Sequence, residues 1–133
     1  MKRFAIVLLS SLAACAGQDA RERSSVIEYG SVDEARSALI AKPGVQSSEK
    51  QGWLVISDGA ENAIWSFTPS GHPAHPAVVK RIVFERDKAV YVEMRVLCQA
   101  TKPSCDRLVE EFKQLNEKMR LDFQRKATQE KGV

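Results

Sequence analysis

The sequence predicts an α+β fold, in which an antiparallel meander of about four strands carries two helices on one face. Residues 53–98 contain short apolar or alternating segments separated by turn-forming residues, a pattern typical of antiparallel strands. Upstream, Ser31 and Glu34 have the spacing of a helix capping box. Downstream, apolar residues recur at helical spacing from Cys105 to Phe123.

The first helix is predicted at about residues 32–42. Ser31 can accept a hydrogen bond from a first-turn amide, and Glu34 can reach back to the chain before the helix. Pro43 and Gly44 then end the helical pattern. Before it, the apolar residues of 26–29 predict a short strand.

Strand signals follow at 45–48, 53–57 and 63–68, and a turn cluster occupies 58–62. Alternation in the third segment places Ala63, Trp65 and Phe67 on one face. Residues 69–76 contain three prolines, which cannot donate to a strand ladder, so we expect a stiff crossing loop there.

A hairpin is predicted from the strands 78–85 and 89–98. A two-residue loop at Asp87 and Lys88 would pair Phe84 with Tyr91 and mix the polar and apolar faces. A three-residue loop would pair Phe84 with Val90 and set Arg81 opposite Glu93, so burial favours this register. The face with Tyr91, Glu93, Arg95 and Arg81 is then expected to be solvated or available to a partner.

The last helix is predicted at about residues 103–126, with Thr101 or Ser104 as its cap and Pro103 in its first turn. The members of its apolar stripe are expected to pack into the core rather than to hold a cofactor. These are Cys105, Leu108, Phe112, Leu115, Met119 and Phe123.

Residues 1–14 have the parts of an export signal: a basic start at Lys2 and Arg3, a short apolar run and small residues before a cut site. The run is too short to span a bilayer, which takes about 20 apolar residues. Leu12-Ala-Ala-Cys15 resembles a bacterial lipobox. That resemblance implies cleavage before Cys15 and acylation of this residue. An ordinary signal with an incidental cysteine is the alternative.

Cleavage there divides the chain into a signal peptide (1–14), a lipidated tether (15–25) and a single α+β domain (26–133). The polar composition of the tether is that of a flexible spacer. Ala16 follows the cysteine, and in proteins with this motif the absence of Asp at that position favours the outer membrane. We therefore expect a lipid-anchored outer-membrane protein whose domain faces the periplasm.

The charge balance argues against a nucleic-acid partner. Loss of Lys2 and Arg3 reduces the formal net charge from +3 to about +1, and no basic stripe stands out. Two cysteines then remain besides the lipidated one. An even pair in an exported chain predicts a disulfide between Cys98 and Cys105, which would clamp the last helix to the sheet.

The candidate chemistry is concentrated in the loop His72-Pro-Ala-His75-Pro. Two histidines could share a metal ion, but a zinc site needs three or four ligands, so no metal and no cofactor are predicted. A nucleophile motif is absent, and paired carboxylates for glycan hydrolysis remain open. The simplest interpretation is that the prolines stiffen the loop and the histidines form local hydrogen bonds.

Two longer motifs carry a resemblance to a known group. Trp65-Ser-Phe-Thr-Pro-Ser-Gly-His-Pro-Ala-His-Pro, together with the segments around Cys98 and Cys105, resembles a small group of uncharacterised proteobacterial lipoproteins. The group implies no activity. In size and placement alone, such lipoproteins also resemble periplasmic immunity proteins.

These features predict a non-enzymatic, protein-binding module on a membrane tether, with a partner in the cell envelope. It would act as an inhibitor or immunity-type protein, or as an accessory of an envelope machine. The candidate contact residues are His72, His75, Lys80 and Arg81. The alternative is a ligand-binding, metal-binding or hydrolytic envelope protein that uses the loop of His72 and His75.

Overall fold

The computed structural model describes residues 26–132, and the predicted signal peptide, lipidation site at Cys15 and tether lie outside the described residues. The α+β class is confirmed. The helices are α1 (Val32–Ala41) and α2 (Lys102–Lys131), and five strands lie between them: β1 (Val45–Lys50), β2 (Trp53–Asp58), β3 (Ala63–Phe67), β4 (Ala77–Arg86) and β5 (Ala89–Cys98).

The five strands form one antiparallel meander in the order β1-β2-β3-β4-β5, and the predicted meander of about four strands is confirmed. The predicted strand at 26–29 is wrong, since these residues join no sheet. Ile27 is nevertheless buried against α1 and β3 in the core. Among residues 26–132, we find no helix with the length and apolarity that a bilayer crossing requires.

The capping box at the start of α1 is confirmed. The Glu34 amide donates to Ser31 Oγ at 3.1 Å, and Glu34 Oε2 accepts from the amide of Gly30 at 3.0 Å. These bonds satisfy amides that the first helical turn would otherwise leave unpaired. They fix α1 where its apolar side can meet the sheet.

The two helices pack on opposite faces of the sheet, so the prediction of both helices on one face is wrong. Val32, Ala35 and Leu39 of α1 share a core with Ile56, Ala63, Trp65 and Val78, whereas Leu108 and Phe112 of α2 share another with Ala77 and Val79. Val78 and Val79 are neighbours in β4 and point to opposite faces. Because β4 is covered on both faces around Val78 and Val79, its sequence there is continuously apolar and does not alternate between apolar and polar residues.

The hairpin of β4 and β5 has the two-residue turn at Asp87 and Lys88, so the predicted three-residue loop is wrong. Phe84 pairs with Tyr91, and Ile82 pairs with Glu93. Both turn residues have positive φ, 52° and 64°, as in the turns whose twist matches that of the paired strands. The phenyl ring of Phe84 stacks on Tyr91 at a centroid distance of 5.5 Å. This aromatic contact offsets the cost of a register that places polar and apolar side chains on the same face.

A disulfide joins Cys98 at the end of β5 to Cys105 in the first turn of α2, as predicted. The two Cα atoms are 5.9 Å apart. A bridge that closes so short a loop contributes about 2–3 kcal/mol in the chain-entropy account. It holds the start of α2 against the sheet.

Lys42, just after α1, forms an ion pair with Asp58 at the end of β2, and it links the two elements across the turn that contains Pro43. Asp58 is buried, and its Oδ1 also accepts from the amide of Ala60 at 3.1 Å. The hydrogen bond from the Lys42 ammonium holds the pKa of Asp58 below its ordinary value. A carboxyl group whose pKa falls on folding stabilises the fold above its unfolded-state pKa.

We predict that Asp58→Asn lowers the melting temperature at pH 7, because it removes the charge that Lys42 pairs with. The contribution of Asp58 is complete above an unfolded-state pKa of about 3.9 and is lost as the pH falls through its lower folded-state pKa. The gap between wild type and variant should therefore close in acid, as measured by thermal unfolding from pH 7 to pH 2. Asp87→Asn, in an exposed turn, is the control and should show no such gap. An equal gap at all pH values would contradict the assignment.

Candidate functional site

The loop that contains the two histidines is closed at its root by Thr68, directly after β3. The Thr68 amide donates to the carbonyl of Ala77 at 3.0 Å, and the Ala77 amide donates to Thr68 Oγ1 at 3.0 Å. Both residues are buried. The loop is thus tied to the first residue of β4, as expected of a stiff crossing.

Both histidines engage their Nδ1 atoms within the loop. Nδ1 of His72 accepts from the amide of Ala74 at 3.0 Å, and Nδ1 of His75 lies 3.1 Å from both oxygens of Thr68. The ring of His72 also meets Trp53 edge-on at 5.2 Å. Among residues 26–132, no three His, Cys, Asp or Glu side chains are placed to hold a metal ion.

Lys80 is placed on the face covered by α1 and not at the surface. It is 3% exposed, and its Nζ lies 4.7 Å above the ring of Trp65. Glu61 and Glu28 supply carboxylate oxygens at 3.2 and 3.7 Å from that Nζ. Lys80 is therefore a neutralised internal cation, and the structure does not bring it together with Arg81.

Arg81 lies on the opposite face, beside α2, because β4 alternates its side chains. It pairs with Met94 and not with Glu93, which instead accepts from Arg95 at 2.6 Å. Its guanidinium carbon is 5.1 Å from the ring centre of Phe112, and Nη2 donates to Ser66 Oγ at 3.2 Å. The predicted pairing of Arg81 with Glu93 and its place on an open face with Tyr91 are thus wrong.

The environment of Arg81 leaves its charge without a counter-ion. Within residues 26–132 no carboxylate oxygen lies within 4.0 Å of the guanidinium, and its Nε is buried without a hydrogen-bond partner. Burial lowers the pKa of Arg81 from its ordinary value. Nearby on α2, the buried side chain of Asn116 donates to Met94 Sδ while its Oδ1 has no partner.

A groove runs between α2 and the part of the sheet that α2 leaves uncovered. It consists of two adjoining cavities of about 580 and 350 Å³, both lined by Phe123 and Lys126. Ile64, Val83 and Val90 contribute apolar sheet surface to the larger one. The smaller one contains Arg81 and, from α2, Leu115, Lys118, Met119, Asp122, Phe123 and Lys126. We refer to these two cavities together as the α2 groove.

The α2 groove exists because only the first half of the helix is packed through apolar contacts. Leu108 and Phe112 are buried, whereas Leu115 is 51% and Phe123 39% exposed. The distal half is held by polar contacts, in which Gln124 Oε1 accepts from the Val90 amide at 2.9 Å and Lys131 Nζ pairs with Glu85 at 3.2 Å. The prediction that the whole apolar stripe packs into the core is therefore wrong at Leu115 and Phe123.

No family model, curated protein or solved structure matches this chain. The site is accordingly defined by its own geometry. Sequence reasoning found Arg81 but missed Leu115, Met119 and Phe123 as groove residues, since an amphipathic stripe has the same pattern on a covered and an uncovered helix. The basic residues Lys118 and Lys126, which lie beside that stripe, are the sequence feature that could have indicated the groove.

The loop geometry predicts that Thr68→Val lowers the free energy of unfolding by about 1–3 kcal/mol, because the buried amide of Ala77 loses its acceptor. Denaturant unfolding with unchanged m-value would measure this loss. Ser70→Ala, at an exposed position of the same loop, is the control and should stay within about 0.5 kcal/mol of wild type. Equal stability of the two variants would show that the hydroxyl of Thr68 does not hold the loop.

Proposed function

We propose that this protein is a lipid-anchored lipoprotein of the bacterial outer membrane whose periplasm-facing domain is a non-enzymatic protein-binding module. It serves as an inhibitor or immunity-type protein, or as an accessory of an envelope machine. The anchoring half of the proposal rests on the export signal and on Cys15 in its lipobox-like context. The resemblance to proteobacterial lipoproteins agrees with it.

The binding half rests on one observation, the α2 groove. Its surface combines uncovered sheet residues with Leu115 and Phe123, which are large apolar side chains left exposed on α2. Contiguous exposed apolar surface with a polar rim is typical of protein interaction sites. Phenylalanine, methionine and arginine are enriched in such interfaces, and Phe123, Met119 and Arg81 lie together here.

The open shape of the α2 groove favours a protein partner over a small molecule. Small-molecule sites enclose most of their ligand's surface. The α2 groove instead lies along the outside of the domain, between a helix and a sheet face, and a partner segment could lie along its length. The loop of His72 and His75 extends the same face, because Trp53 contacts both His72 and Phe112.

The alternative function, ligand or metal binding or hydrolysis through His72 and His75, has less support. The Nδ1 atoms of both histidines are already within hydrogen-bond distance of loop partners. These contacts and the bonds between Thr68 and Ala77 engage polar groups of the loop without a ligand. No specific observation favours this alternative over the binding module.

We predict that Cys15→Ala abolishes membrane attachment. Acyl chains contribute about 0.8 kcal/mol per buried methylene, and stable anchoring takes two or more attachment signals, which this residue alone would supply. Fractionation of the native cells should find the variant uncut, or soluble in the periplasm. The control is Ser24→Ala, a change in the tether, which should still sediment with membranes. Mature variant that sediments with the outer membrane would contradict the anchoring half.

The α2 groove can be tested with a photo-reactive amino acid at Leu115 in the full-length protein in its own cells. We expect an adduct with one envelope protein, at least tenfold weaker when the probe is at Gln114, an exposed position that lines neither cavity. Phe123→Ser should reduce the Leu115 adduct. Its matched control, Leu121→Ser, changes an exposed apolar residue of α2 outside the groove and should leave the adduct unchanged.

The outcome that contradicts the binding half is the absence of any Leu115 adduct, or an adduct that forms equally from Gln114. A further probe at Ser70 tests the loop of His72 and His75. An adduct there with the same protein would place the loop in the interface. Its absence would remove both histidines from the contact surface.

A further inference from the structure

Arg81 is the most unusual charged group in the described part of the chain. It is largely removed from water between β4 and α2, yet it has no carboxylate within 4.0 Å among residues 26–132 and one buried N–H without an acceptor. Burial of a charge costs free energy unless an opposite charge or hydrogen bonds compensate it. Phe112 and Ser66 offset part of that cost, and Nε remains unsatisfied.

Lys80, the preceding residue in the same strand, shows how this fold satisfies a buried cation internally. Two glutamates and the Trp65 ring surround its ammonium group. The fold provides no such partners for Arg81, although both cations belong to one strand and are inserted into apolar layers. Among the described residues, Lys80 on the α1 side of the sheet thus has carboxylate partners, whereas Arg81 on the groove side has none within 4.0 Å.

The charges around Arg81 reinforce its preference for an anion. Lys118 and Lys126 line the same cavity, and within residues 26–132 neither has a carboxylate within 4.0 Å. The one acidic residue of that cavity, Asp122, is paired with Arg125. The cavity thus combines a net positive charge with apolar walls from Leu115, Met119 and Phe123.

From this arrangement we infer that the smaller cavity of the α2 groove, which contains Arg81, binds an acidic segment of a partner protein, whose Asp or Glu carboxylate pairs with Arg81 while an adjacent apolar side chain contacts Phe123 and Leu115. The inference rests on the proposed protein-binding function and specifies its partner. A guanidinium held between apolar surfaces suits a carboxylate, because it can form two parallel N–H···O bonds with it. Lys118 and Lys126 at the rim would attract the acidic segment before contact.

The test uses the Leu115 photo-probe in the full-length, membrane-bound protein in its own cells, with Arg81→Met as the variant. This change keeps an unbranched apolar stem and removes the charge. Loss of one partner from a desolvated charge pair reduces affinity by about tenfold or more, so the adduct yield should fall at least tenfold. Arg36→Met, at an exposed position of α1 on the opposite face, is the matched control and should leave the yield unchanged.

Mass spectrometry of the cross-linked peptide supplies the second readout. The attached segment should contain an Asp or Glu next to an apolar residue, and its change to Asn or Gln should reduce the yield as Arg81→Met does. Combining the two changes should cost little more than either alone, as expected of a direct pair. Thermal unfolding of Arg81→Met within a few degrees of wild type shows that the variant is folded, and Arg81→Lys should retain part of the adduct.

Three outcomes would overturn the inference. An adduct that needs Phe123 but is unchanged in Arg81→Met would leave the proposed binding function standing and remove the acidic partner. A cross-linked segment without an acidic residue would do the same. The absence of any Leu115 adduct in wild type would overturn both the inference and the proposed use of the groove.

Discussion

The two-residue turn at Asp87 and Lys88 sets the pairing of β4 with β5, and that pairing decides which side chains meet each helix. With Phe84 opposite Tyr91, every residue of β4 is assigned to the α1 face or the α2 face. Val78 and Lys80 are directed to the side of α1, and Val79 and Arg81 to the side of α2. A slip of one residue between β4 and β5 would move Met94 and Val96 away from the core they share with α2.

Two adjacent cations on β4 show the consequence of this register. Lys80 is placed among Trp65, Glu28 and Glu61, where its charge is neutralised and its stem covers the aromatic ring. Arg81, one residue later, is placed against Phe112 and Ser66 on the other face, and among residues 26–132 no carboxylate oxygen lies within 4.0 Å of its guanidinium. The same strand thus neutralises one basic residue inside the fold and leaves the next without a counter-ion among residues 26–132. The sequence pattern of adjacent Lys and Arg gives no hint of this difference.

The two ends of α2 are held to the sheet by different kinds of contact. Its start is fixed by the bridge from Cys98 to Cys105 and by the burial of Leu108 and Phe112. Its end is held near the hairpin by Gln124 and Lys131, so the helix stays beside the sheet without covering all of it. Apolar residues between these two attachments therefore face a groove. A helix fastened at both ends can present such a surface without losing its own packing.

The sequence by itself determined most of the elements, although the strand predicted at 26–29 does not form and α2 ends at Lys131, five residues beyond the predicted end. The capping box at Ser31, the bounds of the strands within one or two residues, and the cysteine pair all followed from local chemistry, because caps, turns and alternation depend on neighbours in the chain. Only the tertiary structure decided which face each helix covers, that Lys80 is internal, and that Leu115 and Phe123 line a groove with Arg81. These outcomes depend on contacts between distant segments. Because β4 has apolar residues on both faces, its pattern does not show which face packs against α1 and which against α2. An amphipathic stripe on a helix likewise does not show how much of the stripe the sheet covers.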